Sequence, residues 1–116
     1  MARIVVMDDE EGVRRVLTRA LEIQGHEVLA FEDARPALDA VDFKAVDLVV
    51  TDLQMPTTGD RAIRELKDRG VAVPVMVLSG RLDNGKADEL MALGVQWVMR
   101  KPIDLFGLLE AVEACI

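Results

Sequence analysis

Leu48-Val49-Val50-Thr51-Asp52 is an apolar, largely β-branched run that stops at an acid. It has no alternate polar positions, so neither face suits water. Strands of this kind are buried on both sides, as in parallel sheets covered by helices. Working outward, similar short runs occur at roughly 3–7, 27–31, 47–51, 74–78 and 96–99. Between them the spacing turns helical. Val13, Val16, Leu17, Ala20 and Leu21 fall on one helix face. Ala34, Ala37, Leu38 and Val41 repeat the pattern behind Asp33 as N-cap, with Pro36 tolerable in the first turn. Ala62, Ile63 and Leu66 follow, then Ala87, Leu90 and Met91. Leu105, Leu108, Leu109 and Val112 come last, behind Asp104 as N-cap. Gly25, Gly70 and Gly94 stand just after three of these helices, where a left-handed C-cap is expected.

The order is βα repeated five times. Right-handed crossovers then predict a three-layer α/β sandwich around a parallel five-stranded sheet. Ligands of such open sheets bind beyond the C-terminal strand ends, where strand order reverses. Polar residues collect at those ends. Ile4-Val5-Val6-Met7 ends in Asp8-Asp9, and Leu48-Val49-Val50-Thr51 ends in Asp52. Val75-Met76-Val77-Leu78 ends in Ser79. Trp97-Val98-Met99 ends, after Arg100, in Lys101-Pro102.

The chain has 116 residues, enough for one domain spanning 1–116 and no second core. Hydrophobic residues make up 51%, too many for disorder, and aromatics only 3%, so the core is aliphatic. A net charge of -7 argues against gripping nucleic acid or an anionic membrane. No apolar run approaches a membrane span. Arg3 leads directly into a strand, so no signal peptide is expected. Cys115 is the only cysteine, which rules out an intramolecular disulfide and fits a reducing cytoplasm.

Asp8, Asp9 and Asp52 brought together would repel one another and raise at least one pKa. A divalent cation relieves this, and an all-oxygen donor set suits Mg2+, with Mn2+ as a substitute. Zinc lacks a His/Cys cluster. His26 has no partner at ligand spacing and reads as the residue leading into the second strand. Lys101 offers a compact charge for a phosphoryl oxygen, and Ser79 a hydroxyl donor. One carboxylate is then available as a nucleophile forming an acyl phosphate, with catalysis mostly positioning and charge neutralisation. Glu10 and Glu11 read instead as solvated helix-start acids.

Val6-Met7-Asp8-Asp9-Glu10, Thr51-Asp52-Leu53-Gln54-Met55-Pro56, Leu78-Ser79-Gly80 and Lys101-Pro102-Ile103 occur in this order. Each is weak alone. Together the chain resembles CheY-type receiver domains of bacterial two-component response regulators over essentially its whole length. The resemblance implies a flavodoxin-like fold with strand order 2-1-3-4-5. It implies Asp52 as phosphoacceptor, Asp9 as a direct Mg2+ ligand, Asp8 acting mainly through water, and the Gln54 backbone carbonyl facing the metal. It further implies Lys101 as the phosphoryl-binding lysine, Ser79 as the switch hydroxyl, and a cis Lys101–Pro102 bond. Such a domain catalyses its own phosphorylation from a phosphohistidine or acyl phosphate, and its slow dephosphorylation. The implied partners are a sensor histidine kinase or phosphotransfer protein, and an effector at the fourth helix, fifth strand and fifth helix.

The chain departs from that pattern in places. Val98 stands where the family has its switch aromatic, and Trp97 precedes it on the opposite strand face. Trp97 reads as packing beside a helix. Asp60 stands where the family often has glycine, with Gly59 before it, so the third helix is expected to begin one residue early with Asp60 near its N-cap. Gln54 and Arg81 occupy positions that tune dephosphorylation in the family. Gly80 to Lys86 spells G-x-x-x-x-G-K, but Ala87 replaces the required Ser/Thr, and it reads as chance. A flavin site would need a phosphate-cradling loop where Asp8-Asp9-Glu10-Glu11 stands. Two alternatives remain beside the phosphoacceptor reading: a receiver cut from a longer hybrid kinase or transcription factor, as the apolar Ala114-Cys115-Ile116 end hints, and a phosphorylation-independent pseudo-receiver.

Overall fold

A computed structural model describes residues 1–116. Its elements run β1 (Arg3–Met7), α1 (Glu11–Ile23), β2 (Glu27–Phe31), α2 (Ala34–Ala40), a 3-10 turn (Phe43–Ala45), β3 (Leu48–Asp52), α3 (Gly59–Asp68), β4 (Val75–Ser79), α4 (Asn84–Ala92), β5 (Trp97–Arg100) and α5 (Leu105–Cys115). All neighbouring strands pair in parallel, in the order β2-β1-β3-β4-β5. This is the three-layer α/β sandwich that the alternating periods predict, in the flavodoxin-like strand order that the resemblance implies. The last three strands each sit one residue later than their apolar runs. As a result Asp52 and Ser79 are the final residues of β3 and β4 rather than the first of a loop.

The sheet separates two cores. Val5, Met7, Val49, Val75 and Val77 pack toward α2, α3 and α4 with Leu38, Ile63, Leu66 and Leu90. Ile4, Val6, Leu48, Val50, Met76 and Leu78 pack toward α1 and α5 with Leu17, Leu21, Leu108 and Val112. Successive residues thus feed opposite layers, as a pleated strand requires. The central β1, β3 and β4 are buried on both faces, but the edge strands β2 and β5 are half exposed. Burial on both sides holds only where a neighbour exists on each edge.

Two helical faces are narrower than their periodicity predicts. Val16 and Met91 are exposed, because the sheet covers only the centre of each apolar stripe. Gly25, Gly70 and Gly94 have positive φ, as helix-ending glycines should. Asp33 caps α2 by accepting from Arg35 N–H at 3.1 Å. Asp104 occupies the N-cap of α5 without a capping hydrogen bond. Thr58, not Asp60, is the N-cap of α3, and Asp60 lies in the first turn. The early start has a cause. A Cβ on Gly59 would stand 2.2 Å from the Asp52 carbonyl oxygen, and Gly59 N–H donates to the Leu53 carbonyl at 3.0 Å. Only glycine lets α3 close onto the end of β3.

His26 is buried just before β2. Its Nδ1 accepts from Ala2 N–H at 3.1 Å and its Nε2 faces Glu113 at 3.2 Å, tying the start of β1 to α5. No helix is long and apolar enough to cross a membrane.

Candidate functional site

The register sets β1 and β3 side by side, with Met7 opposite Thr51. The residues that follow, Asp8 and Asp52, therefore open into one crevice at the C-terminal edge. Asp8 and Asp52 are almost fully buried, Asp9 and Glu10 are exposed, and carboxylate oxygens of all four lie within 4.8 Å of one another.

Lys101 reaches in from the loop after β5, where the Lys101–Pro102 bond is cis. Its Nζ stands 3.0 Å from Asp8 Oδ2, 3.1 Å from Asp52 Oδ2 and 2.8 Å from Glu10 Oε1. Its backbone N–H donates to the Ser79 carbonyl at 2.9 Å, which fixes the loop against β4. Burial acts to lower the Lys101 pKa, but the carboxylates of Glu10, Asp8 and Asp52 around it outweigh this and hold the ammonium above its ordinary range. Burial pushes the Asp8 carboxyl up, only partly offset by Glu10 N–H and Lys101, and the Asp52 charge adds to the rise. Asp8 Oδ1 accepts from Glu10 N–H at 2.9 Å. Asp8 Oδ2 is paired with the ammonium by charge but has no aligned hydrogen-bond donor. A buried carboxylate oxygen left so, beside three further acids, is a donor set short of positive charge. These oxygens fit Mg2+ or another hard cation.

Asp52 Oδ1 accepts from Gln54 N–H at 3.2 Å, and Thr51 Oγ1 donates to the Asp52 carbonyl at 2.8 Å. Ser79 is fully buried and its Oγ accepts from Arg81 N–H at 3.2 Å. Arg81 is exposed on the loop leaving β4. On β5, Val98 is half-buried against the α2–α4 core, while Trp97 is 43% exposed on the sheet's edge. Glu10 differs from the sequence reading. It precedes α1 without capping it, and its carboxylate turns to Lys101. Its place directly after Asp9 was the available signal. In the Gly80–Lys86 stretch, the Lys86 ammonium pairs with Asp60 at 3.0 Å.

An open groove of about 760 Å³ leads to this crevice, lined by Glu10, Val13, Val16, Gly80, Lys101 and Ile103 among others. The exposed Val16 forms part of its wall.

A family model described as "Response regulator receiver domain" matches residues 4–113. The chain is 33% identical over 115 residues to response regulator MprA of Mycolicibacterium vanbaalenii, covering 98% of this chain and 50% of that protein. It is 35% identical over 112 residues to transcriptional regulatory protein FixJ of Azorhizobium caulinodans, covering 96% and 53%. A crystal structure of a response regulator receiver domain protein from Clostridium thermocellum superposes with a TM-score of 0.86 at 30% identity, covering 100% and 94% of the two chains. The chain thus spans about half the length of the curated relatives it matches.

Proposed function

The chain belongs to the response regulator receiver domain family, and on that premise we propose that it takes a phosphoryl group onto Asp52 from a histidine kinase phosphohistidine and switches a partner-binding surface. The observation that carries this reading is the Lys101 ammonium, within 3.1 Å of both Asp8 and Asp52 at the mouth of an open groove. A carboxylate held there has a fixed positive charge beside it.

Asp52 Oδ attacks phosphorus, the phosphorus–nitrogen bond of the donor breaks, and its electron pair returns to the imidazole, which takes up a proton. Gln54 N–H orients the attacking carboxylate. Lys101 follows the charge from the free carboxylates to the transferred phosphoryl oxygens, and the Ser79 hydroxyl donates to one of them. Asp8, Asp9, Asp52 and the Gln54 carbonyl would hold Mg2+, or Mn2+ in its place; when bound it supplies the charge that lets the acids and the phosphoryl group share the crevice. Reversal comes from water attacking phosphorus, which releases inorganic phosphate and restores the Asp52 carboxylate. Gln54 and Arg81 flank that approach and set its rate.

The partners are a sensor histidine kinase or phosphotransfer protein entering by the groove, and an effector read through α4, β5 and α5. Neither nucleic acid nor a membrane is bound by this domain, which works in the cytoplasm. A chain of this kind serves alone or as the receiver of a longer response regulator, kinase or transcription factor. With Val98 in place of an aromatic, the Ser79 movement passes to the α4 side through aliphatic packing, and Trp97 plays no direct part.

Acetyl phosphate with Mg2+, followed by intact mass, tests the reading. Wild type is expected to gain one phosphoryl group and Asp52→Asn none. No gain by wild type from either acetyl phosphate or a phosphohistidine donor overturns it in favour of a phosphorylation-independent binding module.

A further inference from the structure

The end of β2 and the turn that leads into α2 hold no residue of the site, yet together they touch both walls of the acid crevice. The Phe31 carbonyl accepts from Asp8 N–H at 3.0 Å, bracing the end of β1. Two residues on, Asp33 Oδ1 accepts from Thr57 N–H at 2.7 Å, across 24 residues of sequence. Thr57 belongs to the loop between β3 and α3 that also carries Gln54, whose N–H binds Asp52. The other Asp33 oxygen accepts from Arg35 N–H at 3.1 Å, so α2 fixes the carboxylate while the carboxylate fixes the loop. Asp33 is half-buried. Burial pushes its carboxyl up, but the N–H groups of Thr57 and Arg35 outweigh this and hold it below the usual range, as expected for a charge-assisted brace.

We propose that Asp33 is a positioning residue for the cation and phosphoryl site, holding the loop from Leu53 to Thr58 so that Gln54 and Asp52 face the same point. This rests on the reading of Asp52 as acceptor beside a divalent cation. Asp33 touches neither reacting atoms nor cation, and acts through Thr57. Capping α2 does not require it to be an acid, since serine caps as well. Bracing does, because a serine hydroxyl is too short to serve both N–H groups.

Asp33→Ser therefore separates the two roles. Mn2+ binding to unphosphorylated protein is measured by water-proton relaxation, alongside hydrogen exchange at Thr57 N–H and acetyl phosphate kinetics over a range of Mg2+. Asp33→Ser is expected to weaken Mn2+ on the order of tenfold, the low end for outer partners of metal ligands. Thr57 exchange should accelerate, and the slowed phosphorylation should recover at saturating Mg2+. A merely structural role would lower the melting temperature and leave the metal dependence of the rate unchanged. Asp33→Asn, which keeps one acceptor oxygen, is expected to fall between the two, and decides the matter if the serine variant does not fold. Equal Mn2+ affinity in wild type and a folded variant overturns this inference alone. Wild type that binds no Mn2+ overturns it together with the proposed function.

Discussion

α3 and α4 each follow a strand that ends in a site residue, Asp52 and Ser79, yet they are held by different forces. α3 buries Gly59, Ala62, Ile63 and Leu66, and its first residue rests on the Asp52 carbonyl. Its Glu65 also takes a two-point pair from Arg35 of α2, at 3.2 and 2.9 Å. α4 buries only Leu90. Much of its remaining hold is polar and directed at α3: Lys86 to Asp60 at 3.0 Å and Arg64 to Glu89 at 2.9 Å. The Arg100 guanidinium adds a bond to the Leu82 carbonyl in the loop before it. Burial of aliphatic area contributes kilocalories per side chain, whereas ion pairs at a surface contribute tenths. A displacement at Asp52 thus meets a rigid α3 and a compliant α4. Elements with little apolar commitment open first.

The largest effect that tests this contrast is Gly59→Ala. Its Cβ would meet the backbone oxygen of Asp52 at 2.2 Å, so strand or helix must move. Overpacking of that sort costs about 3 kcal/mol. Urea unfolding is expected to lose that much, and acetyl phosphate labelling of Asp52 to slow with it. Unchanged stability would mean that α3 is not seated on the end of β3. The matching change in α4, Gly85→Ala, has the opposite sign. The added methyl meets only Asp83 Oδ1 at 3.5 Å, an ordinary contact. Replacing a helical glycine with alanine should stabilise by about 0.7 kcal/mol, with exchange protection gained chiefly in α4.

Smaller still is the loss of the pair between the two helices. Lys86→Met is expected to cost about 0.5 kcal/mol overall, while hydrogen exchange in α4 rises more than in α3. Its pH dependence has a definite sign. Burial acts to raise the Asp60 carboxyl, but the Lys86 ammonium, the Thr58 hydroxyl and the Asp60 N–H together outweigh it and depress the folded-state pKa. The stabilisation is thus present above the unfolded value of about 3.9 and lost as pH falls through the depressed folded value. Protection of α4 in wild type should weaken on acidification below about pH 4, and Lys86→Met should show a smaller step. Equal protection of both helices throughout would erase the contrast.

What the sequence made legible follows the same division. The convergence of Asp8, Asp9, Asp52 and Lys101 at one sheet edge, beside Ser79, was readable because each lies at or just past the end of an apolar run, and parallel strands bring their ends together whatever the loops do. α1 and α4 were over-read at Val16 and Met91, since periodicity identifies a face but not how much of it the sheet covers. The Glu10 pair with Lys101, the Asp33 brace on Thr57 and the Asp60 pair with Lys86 link loops and helix ends 91, 24 and 26 residues apart. Such contacts depend on how far each loop reaches, which no local period encodes. Gly59 was visible as a displaced glycine, but its purpose needed the carbonyl it rests on.

The smallest expected structural effect concerns Arg81. Its backbone N–H is bound to Ser79 Oγ, while its side chain is exposed on the loop that joins β4 to α4. Truncation leaves the backbone bond in place and removes no buried surface, so the change in stability should stay within about 0.5 kcal/mol. The phosphorylated state is another matter. The loop borders the groove through Gly80, and on the proposed phosphoacceptor reading a long cation there would screen the approach of water to a phosphoryl group on Asp52. Arg81→Ala is therefore expected to change the phosphoryl-aspartate lifetime several-fold while leaving α3 and α4 protection as in wild type. Equal lifetimes, measured by the decay of the phosphorylated mass after acetyl phosphate is removed, would assign Arg81 to the solvated surface.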